Sequence, residues 1–383
     1  MAEQAAQVTT EGKQLKSGWQ MVKFGDVVRQ VKDKVDPRKS GLKYYVAGEH
    51  MDTDDLKIRR WGEIGPDYLG PAFHMRFKPG QVLYGSRRTY LRKVAVPDFE
   101  GICADTTFVL ESKDPNILLP ELLPFIMQTE RFHEHSIKQL KGSVNPYVNF
   151  SDLAWFEFAL PPLEEQRRLV KAFKTSQYAK DTLENAKNDT EKLKMSLLIE
   201  IFTQLEHSGT INIKTIKRSV QCQRIKMEQA GDILMGRQLS PKYKNGLSPK
   251  PYLRVANVFD GYIDTTDIKE MDFSESEFET FKLEKNDILL NEGQSRELVG
   301  RSAIYKEEIE NCCFQNTLIR FRPKEQVISE YAHYFFQYCL YTGQFMQISK
   351  QTTSVAHLGV QRFAKMQFPL IEKEAQEAVV ELI

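Results

Sequence analysis

The chain has 383 residues, of which 41% are hydrophobic and 11% aromatic, which is enough for two or three domains with real cores. Its formal net charge is +1, which argues against a protein that is basic over its whole surface but leaves room for local basic loops. The five cysteines are scattered and include no CxxC pair, so we expect free thiols in a reducing cytoplasm and neither a zinc site nor a disulfide framework. Residues 1–17 lack an apolar core and are predicted to be a disordered tail, and no apolar run is long enough to cross a membrane.

Segments of the first half of the chain recur, in the same order, in the second half. The clearest pairs are Phe24–Val28 with Ala230–Leu234, Pro79–Tyr84 with Lys285–Leu290, and Phe158–Leu160 with Phe368–Leu370. A duplication with so long a period predicts two similar globular domains, because the repeats of a solenoid are far shorter.

Each copy combines short β-type runs with a helical stretch. In the first copy we predict strands at residues 81–84, 94–96 and 107–110, followed by a helix at 120–140. In the second copy we predict strands at 287–290 and 317–321, followed by a helix at 330–348. The predicted fold class is therefore α+β, with a mixed α/β domain at residues 18–160 and a similar one at 208–369.

A long helix of the coiled-coil type is predicted between the copies, at residues 161–207. The stretch that follows Pro161 and Pro162 is highly charged and contains neither Gly nor Pro up to Ser208, so it would form a helix of about 60 Å. One face carries small and apolar residues at alternating spacings of four and three, the a/d pattern of a coiled coil. This helix seam consists of Ala172, Ser176, Ala179, Leu183, Ala186, Thr190, Leu193 and Leu197. The alternative is a single amphipathic helix that is docked on one domain.

A second helix of this kind is predicted to begin within residues 370–383. The sequence ends at Ile383 after about two helical turns, so we expect this second helix to be truncated. The seam of the first helix would then have no full-length partner within the chain, and it could pair with a second copy of the protein.

Polar and basic residues in the first copy are candidates for contact with DNA. The segment after the strand at 81–84 combines cations, hydroxyl groups and an aromatic ring, where Arg reads guanine and Lys, Ser and Thr hold phosphates. The candidates here are Ser86, Arg87, Arg88, Thr89, Tyr90, Arg92 and Lys93, with Arg59 and Arg60 further upstream. The alternative for the segment is a solvated hairpin, and for Arg59 and Arg60 a surface strand.

The second copy has polar residues of different types at the corresponding place. Asn and Gln suit adenine edges and Arg suits guanine, and the candidates are Asn291, Gln294, Ser295, Arg296 and Arg301. A turn-prone loop also precedes the last strand of each copy. Its candidates are Ser143, Asn145 and Tyr147 in the first copy, and Thr353, Ser354 and His357 in the second. Similar placement with different residues predicts two domains that read different base sequences.

The sequence offers little for catalysis. Asn145-Pro146-Tyr147 matches the Asn-Pro-Pro-Tyr motif of adenine methyltransferases only in part, because one proline is missing. There is no GxxxxGK[ST] phosphate loop, and we predict neither a catalytic residue nor a metal ligand. Two alternatives to a DNA-binding subunit stay open, namely a self-contained DNA methyltransferase or nuclease, and a scaffold that holds partners through the long helix.

The segment Leu160-Pro161-Pro162-Leu163-Glu164-Glu165-Gln166-Arg167-Arg168-Leu169-Val170 resembles the junction between a target recognition domain and its spacer helix in the specificity subunits of bacterial type I restriction–modification systems. The Gly-Asp-type strands, the Gly-Ser-Val and Thr-Ser-Val loops and the duplicated plan are similar to that family as well. The resemblance covers nearly the whole chain after Gly18. It implies that each domain is a target recognition domain that reads one half of a bipartite site in double-stranded DNA.

The resemblance also implies partners and a division of labour. DNA adenine methyltransferase (modification) subunits would dock on this chain and use S-adenosylmethionine, and restriction translocase–nuclease subunits would use ATP and Mg²⁺. The chain itself would bind no cofactor and contribute no catalytic residue.

Overall fold

The same set of strand pairings occurs twice along the chain. The structure, a computed structural model, describes residues 15–65, 69–213, 218–239, 246–351 and 355–383. It divides into two units, Met1–Leu183 and Glu184–Ile383. The exact domain limits given above stay predictions.

The first unit is built on two antiparallel-rich sheets. Its described elements are β1 (Gln20–Lys23), α1 (Phe24–Val27), β2 (Val28–Val31), β3 (Tyr44–Val46), β4 (Gly62–Glu63), β5 (Phe73–Phe77), β6 (Val82–Gly85), β7 (Val94–Ala95), β8 (Gly101–Ala104), β9 (Thr107–Ser112), α2 (Leu123–Met127), α3 (Glu130–Lys138), α4 (Phe150–Leu153) and β10 (Glu157–Leu160). One sheet has the order β2-β9-β6-β7 and the other β4-β3-β8-β5, with β3 parallel to β8. The first strand, β1, pairs antiparallel with the last, β10.

A continuous helix, α5 (Leu163–Ser208), follows directly and confirms the predicted long helix. Its acidic first turn contains Glu164 and Glu165, which suit the positive end of the helix dipole. The indole Nε1 of Trp19 donates to Glu165 Oε2 at 2.8 Å. Near the other end of α5, four apolar residues at helical spacing are buried in the core of the second unit, namely Leu198, Ile201, Phe202 and Leu205.

The second unit repeats the plan of the first. Its described elements are β11 (Thr210–Ile213), β12 (Arg218–Gln221), β13 (Gln223–Lys226), α6 (Met227–Ala230), β14 (Gly231–Met235), β15 (Pro249–Leu253), β16 (Lys269–Asp272), α7 (Glu275–Phe281), β17 (Ile288–Asn291), β18 (Gly293–Gln294), β19 (Ser302–Ile304), β20 (Cys313–Phe314), β21 (Leu318–Pro323), α8 (Ser329–Tyr341), α9 (Gln344–Ile348), β22 (Lys350–Gln351), β23 (Ala356–His357), α10 (Val360–Ala364), β24 (Gln367–Leu370) and α11 (Lys373–Leu382).

Strand order confirms the predicted duplication. The sheet β14-β21-β17-β19 corresponds to β2-β9-β6-β7, and β16-β15-β20 corresponds to β4-β3-β8. The parallel pair recurs as β15 with β20, and the pair that closes the unit recurs as β13 with β24. Both units are therefore mixed α/β domains of one topology.

The predicted helices at 120–140 and 330–348 are each broken into two, so their predicted continuity is wrong. In the first unit the hydroxyl of Thr129 accepts from the backbone N of Phe132 at 3.4 Å and begins α3 as an N-cap. In the second unit Gly343 has φ 75° and separates α8 from α9. A left-handed residue of this kind ends an α-helix, and glycine adopts it without strain.

Aromatic residues from these helices fill the main core of each unit. In the first unit the ring of Phe132 lies 5.3 Å from that of Phe24 and 5.2 Å from that of Phe156. In the second unit Phe336 lies 5.1 Å from Phe321, edge to face. Such edge-to-face pairs add to the free energy gained from burying the rings. Among the described residues no helix is long and apolar enough to cross a membrane.

Candidate nucleic-acid interface

The segment that starts at the last residue of β6 forms a tight, irregular turn, the basic loop (residues 85–93). It contains a short 3-10 helix, Thr89–Leu91, which is bounded by Arg88 with φ 49° and Arg92 with φ 50°. Left-handed conformations are uncommon for residues with a Cβ, so the surrounding structure has to hold both arginines in place.

The polar stretch before α4 also forms a loop, the closing loop (residues 141–147). Two main-chain hydrogen bonds join its ends, from Lys141 N to Tyr147 O at 2.8 Å and from Tyr147 N to Lys141 O at 2.9 Å. The ammonium group of Lys141 lies 2.7 Å from a carboxylate oxygen of Asp152. The ends of the closing loop are therefore held together by main-chain bonds, and Lys141 anchors one of them to Asp152.

The basic loop and the closing loop lie side by side. The backbone N of Arg88 donates to Pro146 O at 2.7 Å, and Val148 N donates to Ser86 O at 2.9 Å. The guanidinium carbon of Arg87 lies 5.9 Å from the centre of the Tyr147 ring, within the range of a cation–π contact. Two groups of candidate residues that the sequence places far apart are thus brought together on one surface.

The side chains of this surface differ in their exposure. The exposed candidates are Arg87, Arg88, Tyr90, Ser143, Asn145 and Tyr147. Ser86 and Thr89 are buried, and the hydroxyl of Ser86 donates to Thr106 O at 2.7 Å, so in this structure they support the loop. Arg92 lies 2.5 Å from a carboxylate oxygen of Glu130, and Lys93 donates to the backbone O of Gly48. Contact of these side chains with DNA stays a prediction.

The two upstream arginines are engaged in ion pairs. Arg59 Nε lies 3.0 Å from Asp55 and one of its terminal nitrogens lies 3.5 Å from Asp181 on α5, and the hydrogen bond and charge of Asp55 raise the pKa of Arg59. Arg60 pairs with Asp52. Both arginines stay exposed, so their predicted contact with DNA would compete with these acidic partners.

The second unit places its candidate segments in the same relationship. The polar loop (residues 291–301) starts at the last residue of β17 and contains β18. This strand pairs antiparallel with β23, so that Gly293 lies opposite His357 and Gln294 opposite Ala356. The backbone N of Leu358 donates to Glu292 O at 2.8 Å. In both units, the loop after an internal strand of the sheet is thus hydrogen-bonded to the segment that precedes the last strand.

The side chains of the polar loop have different environments. Arg296 is exposed, and its side chain makes no hydrogen bond or ion pair with the described residues. Asn291 is buried and donates to Val258 O at 3.3 Å. The side-chain oxygen of Gln294 accepts a hydrogen bond from the backbone N of Ser295, and Ser295 is half-buried. Thr353 and Ser354 lie outside the described residues.

Two candidates of the second unit have partners that the sequence did not indicate. Nδ1 of His357 lies 2.9 Å from a carboxylate oxygen of Glu292, which is buried. The guanidinium of Arg301 lies 4.6 Å from the centre of the Phe259 ring, and burial lowers the pKa of Arg301. Phe259 is distant from Arg301 in sequence, so periodicity and motif spacing could not reveal this contact. Glu292 lies within the polar segment that the sequence indicates, but its contact with His357 is a tertiary one.

The predicted helix seam is largely exposed. Leu183 and Leu193 are 72% and 70% exposed, and Leu197, the last member of the seam, is half-buried against the core of the second unit. The other members are exposed along α5, namely Ala172, Ser176, Ala179, Ala186 and Thr190. Within the described residues no group of three or more His, Cys, Asp or Glu side chains is placed to hold a metal ion.

Comparison with known proteins identifies the family. The chain belongs to the type I restriction modification DNA specificity domain family, which it matches over residues 16–192 and 229–383. It is 28% identical over 195 residues to the EcoDI specificity subunit of Escherichia coli, a match that covers 49% of this chain and 42% of that protein. It is also 28% identical over 241 residues to the EcoKI specificity subunit of Escherichia coli strain K12, covering 57% of this chain and 49% of that protein. These matches extend over somewhat less than half the length of both relatives.

Two solved structures share the fold. A chain from a study of complex assembly and conformational transition in the type I R-M system superposes with a TM-score of 0.59 and 20% identity, covering 96% of this chain and 90% of that chain. The type I S subunit from M. genitalium superposes with a TM-score of 0.54 and 13% identity, covering 95% and 88% of the two chains. The expected fold class, with two similar mixed α/β domains and a long central helix, is thereby confirmed.

Proposed function

We propose that this protein is the DNA sequence-recognition subunit of a type I restriction–modification complex and reads a bipartite site in double-stranded DNA. The observation that carries the proposal is the repeated pairing of loops, basic loop with closing loop in the first unit and polar loop with β23 in the second. Each unit would read one half-site through exposed side chains of these loops. Because the exposed side chains differ between the units, the two half-sites would differ in sequence.

The chemistry of the exposed side chains supports direct readout of bases. A guanidinium can donate two hydrogen bonds to guanine, and an amide can pair with adenine in the major groove. Arg87 and Arg88 offer guanidinium groups in the first unit, as does Arg296 in the second. Phosphate contacts would supply most of the affinity, which should fall as the salt concentration rises.

We propose that the catalytic steps belong to partner subunits and that this chain positions them. Adenine methyltransferase subunits would use S-adenosylmethionine, and translocase–nuclease subunits would use ATP and Mg²⁺, while this chain would bind none of these cofactors. Membership of the family supports this division of labour. Incubation of the purified chain with S-adenosylmethionine and duplex DNA should give no methylation until the methyltransferase is added, and methylation by the chain alone would contradict the proposal.

The decisive experiment is selection from a randomised duplex library, with and without the candidate methyltransferase. Enrichment of a split motif with a fixed gap is the expected result, since two readers on one chain bind a bipartite site. Enrichment of a single uninterrupted motif would contradict the two-reader proposal. No enrichment in either condition, with the proteins still forming a complex, would favour the alternative of a scaffold.

We further propose that the helix seam binds a partner helix, supplied by a second copy of the chain. Leu183 and Leu193 are apolar and exposed at coiled-coil spacing, and their burial would drive association. Replacing both with Glu should shift the protein toward monomer in analytical ultracentrifugation. Tyr178→Glu is the matched control, because Tyr178 is exposed on α5 but lies off the seam.

A further inference from the structure

One apolar side chain stands at the exposed tip of the closing loop. Val144 is 96% exposed, more than any other large apolar side chain among the described residues. Its neighbours Ser143 and Asn145 are polar and exposed as well. Single exposed apolar residues are common on protein surfaces, so exposure alone does not show that Val144 has a function. Whether it has one depends on where it lies.

Main-chain hydrogen bonds hold the ends of the loop that carries Val144. The pair between Lys141 and Tyr147 closes the loop below Val144, and the bond from Arg88 N to Pro146 O ties it to the basic loop. Valine is β-branched, so its χ1 angle is restricted and its methyl groups have few alternative positions. The loop therefore presents a small apolar surface that would lose little entropy when a ligand covers it.

The surroundings of Val144 favour an anionic ligand. Arg87 and Arg88 are exposed beside the closing loop, and neither forms an ion pair with the described residues. DNA supplies the negative charge, and its major groove contains one apolar group on the base edges, the C5 methyl group of thymine. A short apolar side chain on a loop that is bonded to a cationic loop suits that methyl group.

We propose that Val144 is a specificity-determining residue that contacts the C5 methyl group of a thymine in the half-site read by the first unit. This inference rests on the proposed function, since it requires the first unit to read DNA. It adds a base preference, thymine, and a chemical origin for that preference.

The second unit provides a matched control. Val355 lies directly before β23, a place that corresponds to that of Val144 in the closing loop. In contrast to Val144, Val355 is only 37% exposed. Its Cγ1 lies 3.6 Å from the point where a Cβ on Gly293 would stand, so it rests against β18. Val355→Ala removes the same atoms as Val144→Ala, and we expect it to leave the half-site of the first unit unchanged.

The test compares thymine with uracil, which lacks only the C5 methyl group. Two randomised duplex libraries, one amplified with dTTP and the other with dUTP, are selected with the full chain in the assembly that binds DNA. For the wild-type protein we expect a thymine in one half-site whose enrichment falls about fourfold with uracil, the factor expected for burial of one methyl group. Duplexes with one deoxyuridine at a time then locate the position.

The variants separate the outcomes. Val144→Ala should enrich thymine and uracil equally at that position with an unchanged melting temperature, whereas Val355→Ala should keep the wild-type difference there. The inference is overturned if the wild-type protein does not distinguish the two libraries, or if Val144→Ala still distinguishes them. It is also overturned if Val144→Ala weakens only the binding of a protein partner. Absence of any enriched motif would instead refute DNA reading itself.

Discussion

Gln166 and Gln376 occupy equivalent places in the two units and make the same three hydrogen bonds. In the first unit Gln166 Oε1 accepts from Leu119 N at 2.9 Å, and its Nε2 donates to Ile117 O at 2.8 Å and Pro161 O at 2.9 Å. Gln166 thereby joins the start of α5 to Pro161, directly after the last strand of the unit, and to the segment that precedes α2.

The second unit repeats this arrangement at the start of α11. Gln376 Oε1 accepts from Ile328 N at 2.8 Å, and its Nε2 donates to Gln326 O at 2.9 Å and Ile371 O at 2.8 Å. Both glutamine side chains are buried, and the bonds to Pro161 O and Ile371 O are buried with them, so these two carbonyl groups would lack a partner without the glutamines.

We predict that Gln166→Ala destabilises the first unit. The change removes the partner of one backbone N–H and two carbonyl groups, and the buried carbonyl of Pro161, left unsatisfied, costs about 1–3 kcal/mol. Hydrogen exchange of the Leu119 amide should accelerate, because that amide donates to Gln166. Gln177→Ala, on the same helix, is the control, since the side chain of Gln177 makes no hydrogen bond with the described residues. Equal exchange in both variants would contradict the prediction.

A second prediction concerns the backbone that supports the polar loop. Gly300 has φ +82°, and a Cβ there would stand 2.3 Å from the ring of Phe345. Gly300→Ala should therefore combine backbone strain of about 1–2 kcal/mol with an overpacking penalty of about 1–3 kcal/mol. Gly261→Ala isolates the strain, because Gly261 has φ +80° and its nearest neighbour would be 3.7 Å away. The melting temperature should fall clearly more for Gly300→Ala, and equal decreases would exclude the clash.

A third prediction concerns pH and His133. This side chain is fully buried, both ring nitrogens lack a hydrogen-bond partner among the described residues, and the nearest carboxylate oxygen, on Asp54, is 3.8 Å away. Burial lowers the pKa of His133, and the positive charge of Arg92 lowers it further, although Asp54 and Glu130 oppose them. The folded pKa is therefore below the unfolded pKa of about 6.5.

The sign of the effect follows from this difference. The contribution of His133 to stability is fully present above the unfolded pKa and is lost as the pH falls from there through the lowered folded pKa. Urea unfolding of the first unit should show lower stability at pH 5.5 than at pH 7.5. His133→Phe should reduce that dependence, and an unchanged slope in this variant would assign the effect to other groups.

A fourth prediction tests the proposal that each unit reads one half-site. Arg88→Ala should relax base preference in one half-site and Arg296→Ala in the other, each with a loss of about 1–3 kcal/mol of discrimination. Arg88→Lys should keep much of the affinity but lose preference, because an ammonium group lacks the planar fork of a guanidinium. Sequencing of the bound library gives both quantities. A uniform loss across both half-sites would show that Arg88 contacts phosphate only.

Part of this architecture follows from local sequence alone. The strands at β6, β9 and β17 and the long helix α5 were predictable because apolar runs, turn residues and a charged stretch without Gly or Pro are local signals. The breaks at Thr129 and Gly343 were missed, since the apolar spacing continues through both and favoured an unbroken helix. The family junction was visible because its prolines and glutamine lie within one segment.

The candidate interface was predictable in composition but not in arrangement. The sequence indicated the basic loop and the closing loop separately, and only the fold shows that Arg88 N bonds Pro146 O. Burial of Ser86, Thr89 and Asn291 could not be foreseen either, because polar residues in loops are usually exposed. The partners of His357 and Arg301 depend on tertiary contacts of the same kind.

The hydrogen bonds that join the basic loop to the closing loop and to the residue after it are made by main-chain atoms, at Ser86, Arg88, Pro146 and Val148. Main-chain atoms are common to nearly all residue types, so side chains at the exposed positions can change without breaking this connection. Under the proposed function, natural variation would therefore alter the bases that are read while folding stays intact. The protein would be mutationally robust and evolvable at the same surface, and new DNA specificities could arise there by single substitutions.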